Sequence, residues 1–212
     1  MSESKIFTRL YGRLFDAYGP QHWWPADTPF EVMVGAVLTQ NTAWVNVEKA
    51  IIQLGKANKL ELGAMYRMTE TRLARLIRSS GYFNLKAKRL KALCHWLVEN
   101  QGIDTLKTWD TPELRLALLD VHGIGPETAD DILLYAFNRP VFVIDTYTRR
   151  LLKKLEIVQG DEDYESLRQM FESSLPEDTV LYNEYHALIV RHAKEKCVSP
   201  SECRHCLVEA PF

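Results

Sequence analysis

Residues 118–152, LLDVHGIGPETADDILLYAFNRPVFVIDTYTRRLL, decide how the rest of the chain is read. Apolar residues recur at helical spacing on either side of a short loop, His122-Gly123-Ile124-Gly125-Pro126, and the second helix opens at Glu127-Thr128-Ala129. The two glycines let the backbone turn tightly and let another backbone come close. The helix that follows offers unpaired N–H groups and the positive end of its dipole, which suits a phosphate. The same Gly-x-Gly spacing also serves as a plain turn between helices, and the stretch alone does not separate the two readings. Farther along, Asp145 has the position of an N-cap on the helix that begins Thr146-Tyr147-Thr148.

Outward from this stretch the chain is helical almost throughout. Segment 28–52 carries apolar residues near helical spacing, with Thr28 as its N-cap. Further periodic stretches cover about 3–18, 69–79, 84–100, 112–119, 127–137, 145–156, 163–174 and 179–195. Breakers separate them: Pro25, Gly81, Gly123 with Gly125, Pro140, Gly160 and Pro176. The strand-like run Val141-Phe142-Val143-Ile144 is too short and solitary to make a sheet. The pattern predicts an all-α fold.

The chain has 212 residues, 46% hydrophobic and 25% charged, which fits one large domain or two small lobes with a sizeable core. Its net charge of −2 gives no general attraction to nucleic acid, so a DNA partner requires local positive surface. Lys86, Lys88, Arg89 and Lys91 form one candidate patch, and Arg149, Arg150, Lys153 and Lys154 another; each also reads as the solvated face of a helix. No apolar run approaches membrane-spanning length, and MSESKIFTRL lacks the apolar core of a signal peptide, so a cytoplasmic protein is expected. Disulfides are not expected there. Of the four cysteines, Cys94 stands alone and reads as core, whereas Cys197, Cys203 and Cys206 crowd the C-terminal end and point to metal chemistry. Zinc held by these three with His192 or His205, and no metal at all, are both open readings.

The hairpin and the aspartate after it resemble the helix-hairpin-helix of the endonuclease III superfamily of DNA glycosylases. That family follows its hairpin with a Gly/Pro-rich loop and an essential aspartate, and here Asn138-Arg139-Pro140 and Asp145 take those places. The resemblance implies that Asp145 is catalytic. Breaking an N-glycosidic bond builds positive charge on the sugar, which a carboxylate stabilises while orienting or deprotonating the attacking water. The N-cap reading of Asp145 is compatible with this, because a carboxylate is favoured at a helix start.

Two more motifs follow in the family's order. Gly35-Ala36-Val37-Leu38-Thr39-Gln40-Asn41-Thr42 resembles the early helix whose glutamine enters the DNA stack, which implies that role for Gln40. Ser80-Gly81-Tyr82-Phe83-Asn84-Leu85-Lys86-Ala87 resembles the turn whose first large residue wedges into the duplex, which implies that role for Tyr82. Such side chains fill the hole left by a flipped base. Read without the resemblance, Gln40 is a surface helix residue and Tyr82 a packed turn aromatic.

Bifunctional members carry a lysine in the second hairpin helix that attacks the sugar and then nicks the strand. Glu127 occupies that position here, and a carboxylate cannot form a Schiff base. The expectation is a monofunctional enzyme that leaves an abasic site. His22-Trp23-Trp24-Pro25, together with LTQNT and SGYFNLKAKR, most resembles the 3-methyladenine glycosylases within the family. This implies a base pocket of Trp23, Trp24, Pro25 and Trp44, whose indole faces attract a cationic alkylated base. Trp44, four residues after Gln40, is expected on about the same helical face. As core or interface anchors the tryptophans have a plainer explanation. Other functional readings are a uracil or mismatched-thymine glycosylase, a bifunctional lyase using another lysine, and a non-catalytic DNA-damage binder, whose mark would be loss of the aspartate.

The C-terminal KCVSPSECRHCLVEAPF resembles the family's iron–sulfur loop, in which four thiolates hold one [4Fe–4S] cluster. Cys197, Cys203 and Cys206 match its first three ligands, with the first gap one residue shorter than usual, and Phe212 stands where the fourth cysteine is expected. The whole resemblance implies a two-lobed, all-α monomer with a DNA-binding cleft. Residues 28–140 would form a helical barrel ending in the hairpin, and residues 1–27 with 141–212 the second lobe. The partner would be double-stranded DNA holding a damaged base, with Gly123, Gly125 and Thr128 at a phosphate.

Overall fold

The computed structural model describes residues 3–196, in which helices are joined by turns and irregular segments and no strand forms. No helix among them is long and apolar enough to cross a membrane. The chain divides into two compact units, one joining Met1–Pro25 with Asn138–Phe212, the other Ala26–Phe137. In chain order, α1 (Glu3–Tyr18) opens the first unit. Within Ala26–Phe137 lie α2 (Pro29–Thr39), α3 (Trp44–Lys56), α4 (Leu62–Tyr66), α5 (Glu70–Leu76), α6 (Phe83–Glu99), α7 (Ile103–Leu106), α8 (Thr111–Leu119) and α9 (Pro126–Asp131). The first unit then resumes with α10 (Thr146–Lys154), α11 (Tyr164–Ser174) and α12 (Thr179–Lys196).

In the Ala26–Phe137 unit, α2 starts where the sequence places a cap. Thr28 Oγ1 accepts from the Glu31 N–H at 3.1 Å, Pro29 occupies the first turn, and Glu31 meets the positive dipole end. From Phe30 to Leu38 α2 is apolar nearly all round and buried, so it runs through the core, against α3, α6 and α9. On α6, Ala87, Leu90, Cys94 and Leu97 fall at helical spacing and are fully buried, and burial pushes the Cys94 thiol up to about 12. Helix α9 runs on into a π-helical stretch, Ile132–Ala136, which packs on α2.

The periodic segment 28–52 is two helices rather than one. Helix α2 stops at Thr39, Gln40 leaves helical geometry at φ −51° and ψ 110°, and Asn41 takes φ 52° before α3 restarts at Trp44. The apolar spacing runs across the break because α3 buries its own stripe of Val47, Ala50 and Leu54. Gln40 and Trp44 therefore do not share a helical face. The short α4 and α7 lie outside the periodic stretches, being too brief to show a helical period.

The first unit has an aromatic core. Phe142 stacks on Phe171 with ring centroids 3.9 Å apart, Phe7 lies 4.5 Å from Phe171, and Tyr182 and Tyr185 meet Phe142 edge-on. Val141 to Ile144 is extended but pairs with no strand among the described residues; α11 satisfies two of its amides instead. The Phe142 N–H donates to Glu172 Oε1 at 2.9 Å and the Ile144 N–H to the Tyr164 hydroxyl at 3.3 Å. Arg168 in turn fixes Glu172 at 2.7 Å. This splint delivers the chain into Asp145 at the start of α10.

Candidate functional site

The candidate residues fall on both units. In Ala26–Phe137, the loop between α8 and α9 turns on Gly123, whose φ of +87° favours glycine. Gly125 is extended, and a side chain there would meet open space. The Gln40 carboxamide bridges to this hairpin. Its Nε2 donates to Gly123 O at 3.0 Å and to the buried Thr128 Oγ1 at 2.9 Å, and its Oε1 accepts from Arg89 at 2.5 Å. Both ends of the amide thus have partners of the right sense. Gln40 is not a surface helix residue: it stands off the end of α2 as a latch between two loops. Thr128 serves the same latch. Glu127 is exposed in the first turn of α9.

Tyr82 is 70% exposed in a left-handed conformation, φ 43° and ψ 29°, directly before α6. It is not a packed turn aromatic. The basic run after it is not one positive face either. Lys86 is buried, and Lys91 caps the end of α4 by donating to the carbonyls of Met65, Tyr66 and Met68. Sequence spacing could not show that these amines turn inward to meet carbonyl oxygens.

In the other unit, Asp145 caps α10, its Oδ1 accepting from the Thr148 N–H at 2.7 Å. Oδ2 lies 3.6 Å from His186 Nε2 on α12, and 13% of the Asp145 side chain remains exposed. Burial alone would raise the Asp145 pKa, but the His186 imidazole and the Thr148 amide outweigh it and hold the carboxyl below the usual aspartate value. The second basic run is also partly used internally, with Arg149 donating to Glu162 O at 2.8 Å and Arg150 to Ala193 O at 2.7 Å.

Aromatic rings gather in the same unit. Trp23 and Trp24 are half-buried and meet edge-to-face at 5.7 Å, while Pro25 is exposed. The Lys194 ammonium sits 5.9 Å from the Trp23 ring and 5.4 Å from Tyr147; burial lowers its pKa and the charge of Asp145 pulls it back up. Lys194 thus brings Trp23 and Asp145 into one electrostatic neighbourhood. Gln21 fastens the segment before the tryptophans to α12, its N–H donating to Glu184 Oε1 at 2.6 Å and its Oε1 accepting from Arg191 at 3.2 Å. Trp44 is half-buried on the first turn of α3, in the Ala26–Phe137 unit.

His186, Lys194 and Gln21 are absent from the sequence reading. His186 and Lys194 lie on one helix with no spacing that marks them, and Gln21 lies in the irregular segment after α1, so the sequence carries no signal for any of the three. Cys197, Cys203 and Cys206 lie outside the described residues, and among those described no group of three or more His, Cys, Asp or Glu could hold a metal ion.

Residues 34–177 match the family model of the HhH-GPD superfamily base excision DNA repair protein. A Methanocaldococcus jannaschii protein named provisionally as a DNA repair glycosylase is 45% identical over 214 residues, covering 99% of this chain and 97% of its own. Endonuclease III of Thermotoga maritima is 28% identical over 185 residues, 85% of this chain and 81% of its own. Among solved structures, the H. pylori 3-methyladenine DNA glycosylase bound to 1,N6-ethenoadenine superposes with a TM-score of 0.80 at 33% identity, covering 92% of this chain and 99% of that one. A non-covalent endonuclease III–DNA complex has the same fold, with a TM-score of 0.77 at 20% identity over 93% of this chain and 88% of that one.

Proposed function

This chain belongs to the HhH-GPD superfamily of base excision DNA repair proteins, in the endonuclease III group of DNA glycosylases, and we propose that it is a monofunctional glycosylase for an alkylated purine such as 3-methyladenine. It would work as a monomer on a base flipped from double-stranded DNA. The observation that carries this reading is the Asp145 carboxylate, kept ionised between the Thr148 amide and His186. As the bond between base and sugar breaks, its electron pair leaves with the base and positive charge grows on the sugar. Asp145 stabilises that charge and takes the proton of the water that attacks C1′. A base already cationic leaves readily, so the carboxylate and a well-placed water suffice.

Glu127 supports the monofunctional half of the proposal, since a carboxylate offers no amine to attack the sugar. Half-buried Trp23, Trp24 and Trp44 support the alkylated-base half, as does the 3-methyladenine glycosylase among the structural relatives. Tyr82, exposed at its turn, would fill the stack, and Gly123, Gly125 and Thr128 would bring the hairpin against a phosphate. Cys197, Cys203 and Cys206 would supply thiolates to a [4Fe–4S] cluster, and no step of this reaction runs through it.

The test is base release. Duplexes carrying 3-methyladenine, uracil or mismatched thymine are incubated with the protein, and the freed bases are identified by chromatography. Release of the methylated purine with an intact abasic strand is expected; preferential release of a pyrimidine would replace the substrate assignment.

A further inference from the structure

The Gln40 loop, the Tyr82 turn and the Gly123 hairpin are far apart in sequence, yet two cations one turn apart on α6 reach all three. Lys86 is 1% exposed, and its Nζ donates to Leu38 O at 2.8 Å, Thr42 Oγ1 at 2.6 Å and Ser80 O at 2.7 Å. An ammonium has three N–H donors and no acceptor, and these three oxygens use all of them. Burial, with the charge of Arg89, lowers Lys86 to about 8, so it stays mostly charged at neutral pH. A buried charge is tolerated only where such partners surround it.

Arg89 completes the connection. Its stem lies so close over Gly123 that a Cβ there would meet Arg89 Cγ at 2.3 Å, and its guanidinium grips Gln40 Oε1 at 2.5 Å. Gln40 then holds Gly123 O and Thr128 Oγ1 as described. Ser80, pinned by Lys86, stands two residues before Tyr82, and α6 begins one residue after it. The left-handed Tyr82 is therefore fixed from both sides while its ring is left in solvent.

We infer that Lys86 and Arg89 are positioning residues, which fasten the Gln40 loop, the Tyr82 turn and the Gly123 hairpin into one preset edge that offers Tyr82 to the duplex. Without them the loops would have to be ordered on binding, at a cost in affinity. The inference rests on the reading of Tyr82 as the residue that enters the stack.

A double-mutant cycle between Lys86→Met and Tyr82→Ala tests it. Binding to a duplex with a tetrahydrofuran abasic-site analogue is measured by fluorescence anisotropy at fixed salt, with thermal melts reporting folding. Each single variant should bind roughly tenfold more weakly, and the double variant hardly more weakly than Tyr82→Ala alone. A merely structural Lys86 would give additive losses, and these would overturn the inference while leaving the role of Tyr82 intact. If Lys86→Met does not fold, Thr42→Val removes one of the three oxygens and enters the same cycle, with an expected loss of roughly threefold. Tyr82→Ala binding as tightly as the parent would remove the premise, and the inference with it.

Discussion

Oδ2 of Asp145 lies 3.6 Å from Nε2 of His186, while Oδ1 of the same carboxylate accepts from the first turn of its own helix. The acid proposed for the chemistry is thus held by α10 on one side and α12 on the other. An N-cap and a reactive carboxylate want the same thing here, a charge kept on the oxygens.

That arrangement sets the pH dependence. A carboxyl whose pKa falls on folding contributes stability that is present above its unfolded value and lost as pH drops through the folded one. Base release should therefore persist below the usual aspartate range. His186→Ala removes the strongest of the influences that lower the Asp145 pKa and should move the acid limb of the single-turnover profile upward. A profile unchanged by this substitution would mean the imidazole does not act on Asp145.

Asp145→Asn keeps the side chain's shape and removes its charge. Base release should fall on the order of a hundredfold or more, with binding to damaged DNA largely retained. Near-parental turnover in a folded variant would sink the assignment of Asp145.

Trp24→Ala and Trp44→Ala should each lose excision of alkylated purines with no change in far-ultraviolet helicity. Both indoles are half-buried, and thermal melts separate a loss of recognition from a loss of folding. Excision that survives both substitutions would put base recognition elsewhere.

Glu127 predicts an intact abasic strand after base release, and borohydride should trap no covalent protein–DNA complex. Efficient trapping would mean that an amine attacks the sugar. Lys194, whose pKa Asp145 influences, would then be the first residue to replace.

The resemblance of the Cys197, Cys203 and Cys206 segment to an iron–sulfur loop predicts that protein purified without air is brown, contains iron and bleaches in oxygen. Colourless, iron-free protein with full activity would rule the cluster out.

The parts of the site legible in sequence are those written in local backbone grammar. Thr28 and Asp145 announce helix starts by type and position, and Gly123 announces a turn that needs a positive φ. Periodicity fails at Gln40, because two helices in succession can each bury a stripe while the chain between them breaks. Inward-turned charges are illegible for another reason. Lys86 lies in a run of basic residues that spacing assigns to a surface, and the carbonyls of Leu38 and Ser80 with the Thr42 hydroxyl, brought together by the fold, explain its burial. His186 likewise becomes informative only once α12 lies beside the start of α10.

The discontinuous unit has a consequence for synthesis. The Tyr185 hydroxyl donates to Phe7 O across 178 positions of chain, and Phe7 and Phe142 share Phe171 as a neighbour. On the ribosome the Ala26–Phe137 unit is contiguous and emerges whole with Phe137, whereas α11 and α12, on which α1 packs, follow later. Throughout that interval the apolar stripe of Phe7, Leu10 and Leu14, fully buried in the finished fold, lacks α11 and α12, Phe171 on α11 among them. A nascent chain stalled before Tyr164 should carry a compact middle and an exposed apolar leading helix, readable as protease sensitivity confined to α1.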